Sequence, residues 1–169
     1  VTNQPGIMLG ILTADCYPVL LCDPRRQVAA AVHVGWRGAA AGILAKTVRA
    51  MQDIFGCPPQ ALSAAIGPGI GAHRYEVDRP VRDAFRQGTG HWEAIARETA
   101  LGKWELDLRQ SCLLQLQEAG LEPVRIEAAQ ECTCCHKELF FSYRRDGGKT
   151  GRQLGFILLG DMSENCQRR

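Results

Sequence analysis

Short apolar runs dominate the first third of the chain, and helical spacing takes over after them. Ile7 to Leu12 is an apolar run and reads as a buried strand. Tyr17 to Cys22 and Gln27 to Val34 read as two further strands, joined by the turn at Asp23-Pro24-Arg25-Arg26. Gly35 and Gly38 flank Trp36-Arg37, which predicts a loop of permissive backbone. From Ala39 to Phe55 the period changes. Ile43, Leu44, Thr47, Val48, Met51, Ile54 and Phe55 recur three and four apart, and Gly56 with Pro58-Pro59 stops the helix they predict. Lys46, Arg49, Gln52 and Asp53 form its polar side.

Ala61 to Ile66 is a short apolar strand that runs into Gly67-Pro68-Gly69-Ile70-Gly71-Ala72. That stretch formally matches a glycine-rich dinucleotide fingerprint. The fingerprint needs a helix starting inside it, and His73-Arg74-Tyr75-Glu76-Val77 followed by Pro80 does not read as one, so a bend between strands is preferred. Asp78 is placed to cap a helix over Val81 to Gln87, with Pro80 in its first turn. Gly88 to Lys103 has no clear period, although Trp92, Ile95 and Ala96 suggest a short helix. Asp107 caps a clearer helix through Ala119, with Leu108, Cys112, Leu113 and Leu116 on its apolar face and Gly120 at its end. Val124 to Ile126, Leu139 to Arg145 and Gln153 to Leu159 read as strands, and Asp146 to Gly151 as a turn. The polar tail from Gly160 is expected to fray. No repeat or linker divides residues 1–169, so the expectation is one α+β domain.

Composition narrows the classes. At 46% hydrophobic residues the chain should build a core. Lys+Arg 20 against Asp+Glu 18 leaves +2, which gives no reason to expect a nucleic acid or an acidic membrane as the main partner. Asp15 and Pro18 interrupt the best candidate for a membrane span. The sequence starts at Val1, close to an apolar run, and is read as a domain lacking its N-terminal part. Of the eight Cys, Cys134 and Cys135 are adjacent and Cys16 and Cys22 sit in apolar context; this suits reduced thiols and a cytoplasmic protein better than a disulfide framework.

The candidate chemistry starts with Cys16 and His33. Cys16 precedes one predicted strand and His33 lies at the end of the next, so a hairpin brings them to the same end of a sheet. A thiol beside an imidazole is half of a metal site or a nucleophile with its base; a small core residue and a structural histidine are the plain alternative. A catalytic zinc site takes three protein ligands, so a third is sought among His73, His91, His136, Cys132 and the missing N-terminal part. Arg37 between Gly35 and Gly38 suits phosphate or carboxylate, or is a surface arginine in a turn. Asp15 either orients a ligand and shuttles a proton or binds a backbone N–H. The Cys132-Thr133-Cys134-Cys135-His136 cluster does not match the spacing of a zinc knuckle, and adjacent strand residues face opposite ways, so a closed four-ligand site is not expected there. Arg144-Arg145 either holds a phosphate or ends a solvated strand.

Several of these segments together resemble the YfiH-like family, also called the multicopper polyphenol oxidoreductase or laccase-domain family. They are Thr13-Ala14-Asp15-Cys16, His33-Val34-Gly35-Trp36-Arg37-Gly38, Ala65-Ile66-Gly67-Pro68, Cys132-Thr133, Phe141-Ser142-Tyr143-Arg144-Arg145-Asp146 and Thr150-Gly151-Arg152-Gln153, and they span essentially the whole chain. The resemblance implies an α+β fold with a central mixed β-sandwich flanked by helices, similar to the cytotoxic necrotizing factor catalytic domain. It implies one zinc held by two His and one Cys. Cys16 and His33 match the Cys and the second His, and the first His falls before Val1. It also implies purine nucleoside chemistry: phosphorolysis of adenosine, inosine, guanosine and methylthioadenosine, and hydrolytic deamination of adenosine. Cys16, His33, Arg37 and Asp15 are then the catalytic candidates. Gly35, Arg37 and Arg144 are the candidates for binding substrate or phosphate.

A conventional laccase is tested by counting. A multinuclear copper cluster needs many imidazoles, and the chain has four His, so copper is left as a loosely bound alternative to zinc. Two other classes stay open at this point. One is a cysteine or zinc amidase editing a peptidoglycan precursor, with Cys16 as nucleophile and His33 as base. The other is a non-catalytic domain. Metal content together with turnover of adenosine separates them. The oligomeric state is not legible in the sequence.

Overall fold

The computed structural model describes residues 1–160. Its centre is the hairpin expected from the first apolar runs. Strand β1 (Met8–Thr13) precedes it, and β2 (Tyr17–Asp23) pairs antiparallel with β3 (Val28–Val34), with Tyr17 opposite Val34 and Pro18 opposite His33. Asp23 closes the turn by accepting from the backbone N–H groups of Arg25 and Arg26, each at 3.0 Å. The helices α1 (Trp36–Ala40) and α2 (Ile43–Phe55) follow, then β4 (Ser63–Ile66) and β5 (Glu76–Asp78). Next come α3 (Arg79–Gln87), α4 (Trp92–Ile95), β6 (Ala96–Ala100), β7 (Lys103–Leu106) and α5 (Leu108–Glu118). The chain closes with β8 (Ile126–Ala128) and β9 (Gln153–Leu158).

The central sheet has the order β3-β2-β4-β8, antiparallel except for the parallel β4–β8 pair. Its two faces follow from the alternation of side chains. Val19, Leu21, Ala30, Val32, Ala64 and Ile66 share one face and are buried. They join Leu44, Val48 and Met51 of α2 and Leu108, Cys112 and Leu116 of α5 in one core. Asp107 caps α5 as expected, accepting from Gln110 N–H at 2.8 Å. The other face carries Pro18, Ala31 and His33. There the ribbon formed by β1 and β9 packs closely: a Cβ on Gly155 would lie 2.9 Å from Pro18 Cβ. A third sheet, β5-β7-β6, stands beside these layers. The chain is α+β, with sheet against ribbon on one side and helices on the other.

Several expectations need correction. β1 is not a buried strand: Met8 is 54% and Leu12 59% exposed, and with Leu154, Phe156 and Leu158 they form the ribbon's outer face. The single helix from Ala39 to Phe55 is broken at Gly42, whose φ of 69° is left-handed, so two helices form. The first of them takes in Trp36-Arg37-Gly38, where a loop was expected. Leu139 to Arg145 is not a strand; no ladder partner reaches it, and Arg145 N–H groups holding Thr133 O and Phe140 O fix it instead. The strand expected at Val124 starts at Ile126, after a 3-10 turn at Pro123–Arg125. The β6–β7 hairpin went unseen because β6 is an exposed edge of Arg97, Glu98 and Thr99 with no apolar alternation. Asp78 precedes α3, but its side chain accepts no cap bond. Of the polar tail, residues 161–169 lie outside the described residues.

Candidate functional site

Strand register places the central pair. Pro18 faces His33 directly, and Cys16 lies in the bend just before β2, two residues before Pro18, so Cys16 and His33 stand at the same end of the β2–β3 hairpin. His33 is exposed at the sheet edge, and Cys16 is half-buried. Gly35 stands opposite Cys16 and makes room for it: a Cβ there would lie 3.0 Å from Cys16 Sγ. This is the physical need for glycine at Gly35. It caps α1 in an extended conformation, φ −93°, so no left-handed backbone is involved.

Asp15 is the knot of the site. Its φ is 81°, a left-handed conformation that costs any residue except glycine, although Asp tolerates it better than most. Three hydrogen bonds hold it there. Thr133 Oγ1 donates to Oδ1 at 2.7 Å, Arg144 N–H donates to Oδ2 at 2.7 Å, and Ile70 N–H donates to the Asp15 carbonyl at 2.9 Å. Both carboxylate oxygens are therefore committed to loops far away in sequence. Asp15 binds a backbone N–H, the plainer of its two expected roles, and it positions Cys16.

Charge gathers around the Cys16 thiol. Burial first, and the Asp15 carboxylate second, push that thiol up, while Arg152 pulls it down. Tyr75 lies among Cys16, Arg144, Asp15 and Arg37, and burial with the nearby Cys16 raises its phenol to about 12. Arg144 stacks its guanidinium 5.3 Å from the Tyr75 ring centroid and donates to Glu76 O at 3.1 Å. Arg37 lies 4.2 Å over the Trp36 ring and is otherwise exposed. Arg145 is fully used in holding its own loop, donating to Thr133 O, Phe140 O and Asp146. Of the Arg144-Arg145 pair, only Arg144 faces the site. An apolar cleft of about 240 Å³ lies beside Pro18, lined also by Leu20, Ala65, Gly67, Phe140 and Leu154.

The glycine-rich stretch is a structural bend, as preferred. A Cβ on Gly69 would come within 2.6 Å of the Tyr17 ring, whose hydroxyl donates to Ile70 O at 2.9 Å. The glycines seat a loop on Tyr17, and a 3-10 turn at Ala72–Arg74 follows in place of the helix that a dinucleotide fingerprint needs.

The other thiols behave differently. His73, Cys132 and Cys135 bring their ligand atoms within 4.8 Å of one another, the only such trio of His, Cys, Asp or Glu among the described residues. Cys132 and Cys135 have two residues between them, the spacing of paired thiolates. The expectation that this cluster lacks knuckle-like spacing is corrected: Cys132 and Cys135 have it, while Cys134 between them is not in the trio. The four imidazoles are scattered: His33 is at the sheet edge, His73 meets Cys135 at 3.2 Å, His91 meets Glu118 at 2.7 Å, and His136 Nδ1 lies 3.1 Å from Cys132 O. These residues do not fit a multinuclear copper cluster.

The family model for multi-copper polyphenol oxidoreductase laccase matches residues 1–160. The chain belongs to that family. It is 39% identical over 157 residues to a protein named purine nucleoside phosphorylase YlmD from Geobacillus stearothermophilus, covering 92% of this chain and 57% of the relative. It is 38% identical to purine nucleoside phosphorylase YfiH of Escherichia coli, covering 94% of this chain and 62% of the relative. The crystal structure of the hypothetical protein YfiH from Bacillus licheniformis superposes with a TM-score of 0.90 at 38% identity, over 93% of this chain and 59% of that one. The chain thus spans about three-fifths of the length of these three proteins. Among the described residues no helix is long and apolar enough to cross a membrane.

Tyr75, Thr133 and Arg152 belong to the site's surroundings and were not singled out from the sequence. Thr133 and Arg152 stood within family-like segments. Tyr75 gave no signal beyond its place after the glycine-rich bend.

Proposed function

We propose that this domain is the metal-binding part of a zinc-dependent purine nucleoside phosphorylase, with Cys16 and His33 as two of three zinc ligands. The carrying observation is their place at the same end of the β2–β3 hairpin, with Gly35 making room for the thiol and Arg37, Arg144 and Tyr75 gathered beside it. Thiolate and imidazole nitrogen suit zinc. The third ligand is proposed to be a His in a part of the family domain that this sequence does not contain. Bound zinc supplies Lewis acidity next to the purine nucleoside.

The chain's own residues take the following roles. Arg37 and Arg144 offer guanidinium groups to phosphate, and Gly35 leaves the approach open. Tyr75 remains protonated at neutral pH and is a hydrogen-bond donor to substrate. Asp15 holds Cys16 in place. The substrates are adenosine, inosine, guanosine and methylthioadenosine with phosphate, with hydrolytic deamination of adenosine as the second reaction. The cytoplasm, where nucleosides and phosphate occur and thiols stay reduced, is the proposed location.

The cysteine form of the amidase reading is disfavoured by the metal-free Cys16 thiol, which burial and Asp15 push up; the zinc form is separated only by its substrate.

The test uses a chain extended to the length of its relatives and supplied with adenosine. Adenine should form with phosphate and inosine without it. Arg37→Ala should reduce phosphorolysis roughly ten- to hundredfold, the loss of one charged hydrogen bond, and leave deamination nearly unchanged. Equal loss of both reactions would contradict the role of Arg37. Release of an amino acid from a peptidoglycan precursor, with adenosine untouched, would replace this reading by the amidase.

A further inference from the structure

The trio of His73, Cys132 and Cys135 stands apart from the residues assigned above. His73 follows the glycine-rich bend in a 3-10 turn at Ala72–Arg74. Cys132 bridges in parallel to Gly69 on the same bend, and Thr133 N–H donates to Gly69 O at 3.0 Å. The chain then turns tightly, with the N–H groups of Cys135 and His136 both donating to Cys132 O at 3.1 Å. The turn brings Cys135 Sγ to 3.2 Å from His73 Nε2.

We propose that His73, Cys132 and Cys135 form a second metal site, which takes a thiophilic divalent ion such as zinc. Two thiolates and an imidazole are a donor set for soft or borderline ions and not for magnesium or calcium. In a tetrahedral zinc site, Zn–S near 2.3 Å and Zn–N near 2.0 Å place ligand atoms roughly 3.5–3.8 Å apart. The trio's limit of 4.8 Å reaches that with about 1 Å of closure. The surroundings are built for the ligands. Gly71 N–H donates to Cys132 Sγ at 3.1 Å, the kind of outer bond that orients a thiolate ligand. Gly71 also has no space for a side chain, since a Cβ would lie 2.9 Å from His73 Cε1 and 3.4 Å from Cys132 Cβ. Cys132 is buried while His73 and Cys135 are exposed, which leaves the fourth position open to water. Cys134 is not a ligand. Thr133, next to Cys132, holds Asp15, so an ion here braces the loop that positions Cys16.

The experiment uses this chain, reduced and freed of metal, with Cys16→Ala and His33→Ala introduced to silence the first pair. Zinc is titrated against a chromophoric chelator, and cobalt(II) reports thiolate ligation by its charge-transfer band. One ion should bind. Further substitution of Cys135→Ser or His73→Ala, both at exposed positions, should weaken zinc at least tenfold, and Cys135→Ser should reduce the thiolate band. Cys134→Ala should change neither. Zinc should also raise the melting temperature of the silenced chain and not that of its Cys135→Ser derivative. No zinc bound by the silenced chain, or binding unaffected by Cys135→Ser and His73→Ala, would overturn the site. These results do not depend on nucleoside turnover, so failure here leaves the first site's reading intact.

Discussion

Two thiols lie on opposite sides of one hydrogen bond, from Thr133 to Asp15, Cys16 next to Asp15 and Cys135 in the turn after Cys132, and they behave in opposite ways. Cys16 is half-buried beside a carboxylate, and its thiol is pushed up. Cys135 is exposed beside His73 and Arg74, and bonds from both hold its thiol down at about 7. The same side chain is therefore pushed up at one place and held down at the other. Burial and the sign of the neighbouring charge decide which. His33, on the face of a strand, belongs to a rigid sheet; His73, Cys132 and Cys135 belong to loops pinned by Gly69 and Gly71.

The most disruptive change should strike the bond between them. Asp15→Ala removes two charge-assisted hydrogen bonds and leaves a left-handed φ on a residue that resists it. A loss on the order of 3 kcal/mol is expected in denaturant unfolding, with zinc affinity falling at both groupings. A variant of unchanged stability would show that the two regions are independent.

Gly69→Ala should come next. The added methyl meets the Tyr17 ring at 2.6 Å, an overpacking worth about 1–3 kcal/mol. Thermal unfolding checks this, and a neutral result would mean that the bend is looser than described.

The contrast in thiol chemistry can be read directly by alkylating the metal-free chain across pH. Lowered pKa means that thiolate is present at lower pH, so Cys135 should reach half its maximal rate near pH 7 and fall off below it. Cys16 should become reactive only at higher pH than an ordinary thiol, because its pKa is raised. Peptide mass analysis after timed quenching distinguishes them. Equal profiles would remove the electrostatic distinction.

The smallest effect is expected far from both. Arg97→Ala breaks an exposed pair with Glu105 at 2.7 Å and should cost at most about 1 kcal/mol, with metal binding unchanged.

The β2–β3 hairpin, α2 and α5 were legible because their apolar periods and stop signals agree with their burial. That Cys16 and His33 stand at one end of the sheet followed from the hairpin. What stayed hidden was long-range. β6 has no alternation because it is a polar edge. Leu139 to Arg145 has the composition of a strand but is held by Arg145 side-chain bonds. Tyr75 and Thr133 reach Cys16 and Asp15 only through tertiary packing. The Cys132–Cys135 spacing was present in the sequence, but the intervening Cys134 masks it, and His73 lies some sixty positions away. Nothing local distinguishes such a partner.

The central claim is that Cys16 and His33 hold the metal on which nucleoside phosphorolysis depends. The direct measurement is zinc content and phosphate-dependent release of adenine from adenosine, made on the same preparation of a chain extended to its relatives' length. Cys135→Ser weakens the second site so that, at limiting zinc, the count reports the first. The account predicts one zinc per chain with activity, and loss of both on His33→Ala or Cys16→Ala. Retained zinc and undiminished phosphorolysis in either variant would contradict it.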